Sequence, residues 1–134
     1  MSPKFALDTG FDSSAIRYSL AKVLMKSKRW DEAAENLESV LKEAPSGEIY
    51  LAIGDLYKEL KRPISTYEAY RRATELLPTS SVAFFKLGEL LFEEREYDKS
   101  RIALEKAMEL DGKGEKINIS LARKHIREAS QKLR

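Results

Sequence analysis

Residues 47–80 read GEIYLAIGDLYKELKRPISTYEAYRRATELLPTS, and this stretch decides the fold because the chain says it three times. Gly54 returns as Gly88, 34 residues on, and the small residue Ala21 stands 33 residues before it. The same two offsets join Trp30, Pro63 and Tyr97, and again Ala33, Thr66 and Ser100. They also join Leu37, Tyr70 and Leu104, then Val40, Ala73 and Ala107. Pro45 and Pro78 keep the spacing, and the next slot falls on Asp111, followed by Gly112. So many residue classes holding one register mark an internal repeat. Pro45 to Gly54 is nine residues and Pro78 to Gly88 is ten, which puts the one missing residue in the first junction.

Each unit reads as a pair of short helices. Ser13, Ser46 and Ser80 stand eight residues before the small residue, where a hydroxyl can accept an orphan backbone N–H as an N-cap. The pattern predicts first helices over 14–27, 47–60 and 81–94, and second helices over 31–43, 64–77 and 98–110. Breaks fall at Lys28-Arg29, Lys61-Arg62 and Arg95-Glu96. Pro63 suits an opening turn, where its missing N–H has no intrahelical acceptor. Apolar residues recur at helical spacing, as in Leu20, Val23, Leu24 and in Ala33, Leu37, Val40, Leu41.

These residues resemble the tetratricopeptide repeat: large–x2–Leu–Gly–x2–Tyr, then Ala–x3–Phe, then a helix-stopping proline. The second unit matches best, through Tyr50, Ile53, Gly54, Tyr57, Tyr70, Ala73 and Pro78. The third offers Phe84, Leu87, Gly88, Leu91, Leu104 and Ala107, and the first Leu20, Ala21, Leu24, Ala33, Leu37 and Pro45. Arg17 departs by replacing the large first residue, and Thr66 and Ser100 replace alanine. The resemblance implies an all-α, right-handed α-solenoid of three helix–turn–helix units, with about seven helices in all. The units run over about 14–46, 47–80 and 81–114. A C-terminal solvating helix over 115–133 carries Asn118, Leu121, Ala122 and His125 in signature slots and shields the last stacking face. Residues 1–12 fit no unit and form an N-terminal extension, with Phe5, Leu7 and Phe11 apolar enough to dock.

Composition narrows the chemistry. Charged residues make up 34% of the 134, but 24 Lys+Arg nearly cancel 22 Asp+Glu, so the net charge of +2 does not argue for nucleic acid as the main partner. The absence of cysteine removes disulfides, thiolate metal sites and cysteine nucleophiles together. No apolar run reaches the ~20 residues of a membrane span, and the opening MSPKFALDTG has no apolar signal core, so a soluble cytoplasmic protein is expected. The sole histidine, His125, reads as a packing residue of the last helix. The stretch DGKGEK (111–116) has neither phosphate-loop nor calcium-loop spacing and reads as a helix-stop turn. Glu93, Glu94 and Glu96 read as a solvated helix end. No nucleophile stands with a base, so a non-enzymatic protein without cofactor, metal or small-molecule substrate is expected.

The family resemblance implies that the first helices line a concave groove. Its slots hold Tyr18 and Lys22, then Leu51 and Asp55, then Phe85, Glu89 and Phe92, with Arg123 from the last helix. Tyr18, Leu51, Phe85 and Phe92 are large apolar groups at slots that need not pack within the array. Ile119 and Ile126 can cover Phe85 and Phe92, so a satellite core is the competing reading for those two. Asp55, Glu59, Glu89 and Glu93 make the centre acidic, with Lys22 and Lys26 at one end and Arg123 and Arg127 at the other. Family members that grip a chaperone's C-terminal carboxylate use cations at these slots; here Asp55 and Glu89 repel one. The expected partner is another protein, offering a short apolar peptide or helix with a lysine or arginine. The alternative is a self-assembling module, a homo-oligomer built through the N-terminal segment or by terminal stacking.

Overall fold

The computed structural model describes residues 13–134 and contains, among them, seven α-helices and no strand. They are α1 (Ser13–Lys26), α2 (Trp30–Glu43), α3 (Gly47–Glu59), α4 (Pro63–Leu76), α5 (Ser81–Glu93), α6 (Tyr97–Asp111) and α7 (Ile119–Lys132). The extension at 1–12, with Phe5, Leu7 and Phe11, lies outside the described residues. The chain divides into two compact units, Met1–Ala69 and Tyr70–Arg134, with the division inside α4. No helix among the described residues is long and apolar enough to cross a membrane.

Local chemistry sets the helix ends. The Ser46 hydroxyl accepts from the Ile49 N–H at 3.2 Å, and Ser80 does the same for Ala83 at 3.1 Å. The second helices α2 and α6 start without a side-chain cap, straight out of a tight turn. That turn recurs in every repeat. Lys28, Lys61 and Arg95 sit at φ of 60°, 59° and 63°, and each closes a pair of capping hydrogen bonds. The Lys61 N–H donates to the Lys58 carbonyl and the Arg62 N–H to that of Tyr57; Lys28-Arg29 and Arg95-Glu96 repeat both bonds. A side chain in this left-handed region costs about 1–2 kcal/mol, and the paired carbonyls offset it.

The last helix starts at Ile119, four residues after the expected Glu115. The Asp111 carboxylate accepts from the backbone N–H groups of Lys116 and Ile117, at 3.0 and 3.4 Å. Gly112 and Gly114 supply φ of +62° and +74°. These bonds hold the segment as a loop until Asn118 caps α7, its side-chain oxygen accepting from the Leu121 N–H at 3.0 Å.

The first unit buries Ala21, Leu24, Ala33, Leu37, Val40, Ile49, Ile53, Leu56 and Ala69 in one cluster, with Tyr18 and Trp30 packed against it. Arg17, out of pattern in the sequence, reaches back from α1 to the Ser39 hydroxyl at 2.7 Å and the Glu43 carboxylate at 3.1 Å. The second unit packs α5, α6 and α7 on one another around Ala83, Leu90, Leu104, Ala107, Ala122 and Ala129. Its tightest approach explains Gly88. A Cβ there would lie 2.6 Å from Leu104 Cδ2, and the Ser100 hydroxyl donates to the Gly88 carbonyl at 2.8 Å. Only small residues let α5 and α6 come this close.

Candidate functional site

The eight residues singled out in the sequence fall on first helices of both units and on α7. On α1, Tyr18 is half-buried, and the Lys22 ammonium lies 4.6 Å from its ring centroid. Such a contact at an exposed site is worth about 0.5–1 kcal/mol. Lys22 itself is exposed. On α3, Leu51 and Asp55 are both half-buried and stand four residues apart, so they share one helix face.

On α5, Phe85, Glu89 and Phe92 are also half-buried, and Phe85 with Glu89 repeats the apolar–acid pair of α3. Two of these three meet at a single side chain. The His125 ring lies flat on Phe92, centroids 4.0 Å apart and planes 12° from parallel, while Tyr97 meets Phe92 edge-on at 5.6 Å. His125 Nδ1 contacts the Glu89 carboxylate at 2.8 Å, and the two side chains are only 16% and 13% exposed. Arg123 on α7 is exposed.

His125 thus packs, as its slot suggests, but it also engages an acid expected to face a ligand. The sequence carried a signal for this: the repeat places a large residue at the slot of Leu24, Tyr57, Leu91 and His125, and here that residue can also pair with a carboxylate. Its counterpart Tyr57 donates its phenol to Glu38 at 3.0 Å. Burial, then that bond, hold the Tyr57 phenol above its ordinary pKa, with the Glu38 charge adding and Arg62 opposing. No group of three potential metal ligands forms among the described residues.

The arrangement offers recognition surfaces: an apolar group one turn from a carboxylate on α3 and on α5, with cations on α1 and α7. A family model described as "Tetratricopeptide repeat" matches residues 47–79 and 82–113, and a second model with that description matches 16–47. No curated protein is a detectable sequence relative of this chain. Among solved structures, the first TPR of Spaghetti (RPAP3), bound to the HSP90 peptide SRMEEVD, is 17% identical with a TM-score of 0.78. The match covers 90% of this chain and 92% of that one. PcrH from Pseudomonas aeruginosa is 13% identical with a TM-score of 0.79, over 90% of this chain and 96% of that one. MamA is 23% identical with a TM-score of 0.74, over 97% and 84%. At these identities the likeness is one of fold, an all-α repeat solenoid.

Proposed function

Because this chain belongs to the tetratricopeptide repeat family, we propose that it is a non-enzymatic protein-interaction adaptor. Its first-helix faces take a short apolar peptide or helix that carries a lysine or arginine. One observation carries the reading: Leu51 with Asp55, and Phe85 with Glu89, set a partly exposed apolar side chain one turn from a carboxylate. Covering each apolar group with a partner is worth up to roughly 1.5–3 kcal/mol. The half-buried Asp55 favours a positive charge on the partner, whereas Glu89 is engaged by His125.

The HSP90 peptide bound by the Spaghetti domain is acidic. At the slots Tyr18, Lys22, Leu51, Asp55, Phe85 and Glu89 this chain has one cation and two acids, so a basic partner is favoured over an acidic tail there. The test is fluorescence anisotropy with labelled apolar-basic peptides, on the wild type and on Leu51→Asp with Phe85→Asp, after circular dichroism has shown both to be helical. Binding at least about tenfold weaker in the variant is expected, as loss of about 1.4 kcal/mol dictates. Equal affinities reject the first-helix faces as the site.

A further inference from the structure

We propose that the outward face of α7 is a second docking site, separate from the first-helix faces, for an acidic segment of a protein partner. Residues 113–134 hold seven Lys/Arg against two Asp/Glu, in a chain whose net charge is only +2. The structure sorts them. Ala122 and Ala129 are fully buried, and α7 packs against α5 and α6. Ser120, Arg123, Lys124, Arg127 and Gln131 are all exposed. At 3.6 residues per turn these five share an arc of about 100°. Glu128, the sole acid of the helix, is half-buried at its edge.

Five arginines elsewhere have a carboxylate partner within the fold. Arg17 pairs with Glu43, Arg29 with Glu32, Arg71 and Arg72 with Glu75, and Arg101 lies 4.0 Å from Glu105. Among the described residues, Arg123, Lys124 and Arg127 have no such partner. A guanidinium binds a carboxylate through two parallel hydrogen bonds, so a protein carboxylate is a fitting complement.

Spacing favours a peptide. Arg123 and Arg127 are about 6 Å apart along the helix axis. Alternate side chains on one side of an extended strand are about 6.6 Å apart, so an acid–x–acid segment meets both arginines in one register. A single-stranded nucleic acid is disfavoured because the arc has no aromatic side chain on which a base could stack. A membrane surface is disfavoured because the apolar face of α7 is already used against α5 and α6, leaving nothing to insert.

The test uses a short labelled glutamate-rich peptide, an oligouridylate and phosphatidylserine vesicles as probes, with the wild type and Lys124→Glu with Gln131→Glu, two positions of the arc that lie outside the groove slots. The wild type is expected to bind the glutamate peptide more weakly as salt rises, and more tightly than the other two probes. The variant should lose at least about tenfold in that affinity while holding the apolar-basic peptide as the wild type does. That second readout separates this site from the first-helix faces. The proposal is overturned by no binding of the glutamate peptide, by equal binding in variant and wild type, or by tighter binding of either other probe. Loss of both peptides overturns it as well, since the two surfaces would then be one.

Discussion

Tyr57 in the first unit and His125 in the second occupy the same slot of the repeat, yet they grip different helices. The longer phenol of Tyr57 reaches Glu38 on α2, in a pair open to solvent. The imidazole of His125 stays on α5, stacked on Phe92 and paired with a nearly buried Glu89. Register therefore fixes where a side chain leaves its helix, and reach and chemistry decide what it holds. The two contacts also differ in worth. A solvent-exposed hydrogen bond contributes about 0.5–1 kcal/mol, whereas one to a charged group shielded from water contributes about 1.5–3 kcal/mol.

Truncation should expose that difference. His125→Ala removes the stack on Phe92 and the imidazole's contact with the Glu89 carboxylate, and should cost about 2–4 kcal/mol in urea unfolding. A cost no larger than that of Tyr57→Phe would erase the contrast between the units. Gly88→Ala comes next, at about 1–2 kcal/mol: over-packing against Leu104 costs about 1–3 kcal/mol and outweighs the gain of up to about 1 kcal/mol in helix propensity. The first unit already carries alanine at this slot, as Ala21, so Ala21→Gly should lose about 1 kcal/mol by propensity. A neutral Gly88→Ala would mean that Leu104 has room to move.

Tyr57→Phe should cost only about 0.5–1 kcal/mol at neutral pH, and it sharpens the comparison in alkali. The folded-state pKa of Tyr57 is raised, so its contribution is full below its unfolded value of about 10 and is lost as pH rises through the folded value. The stability difference between wild type and Tyr57→Phe should therefore shrink above about pH 10, read as urea midpoints across that range. Lys61→Gly should have the smallest effect, within about 0.5 kcal/mol of wild type. Relief of the left-handed strain there is offset by the extra freedom of an unfolded glycine.

Much of the fold was legible in the sequence because repetition supplies its own controls. Ser46 and Ser80 advertise caps, and the three interhelical breaks lie where the register puts them. The left-handed backbone at those breaks was hidden, since lysine and arginine have no preference for that region; the capping bonds impose it. The late start of α7 was hidden too, because it depends on Asp111 folding back onto two N–H groups ahead of it. At the site, periodicity placed Phe85, Glu89 and Phe92 on α5. It did not show that His125, 36 residues from Glu89, would engage that carboxylate, because the pairing depends on how α7 docks.

The first-helix faces are tested most directly by two-dimensional amide NMR of the 15N-labelled chain titrated with an apolar-basic peptide. We expect shift changes concentrated around Tyr18, Leu51, Asp55 and Phe85, on α1, α3 and α5. Changes concentrated on α2, α4 and α6, with these residues still, would contradict the account.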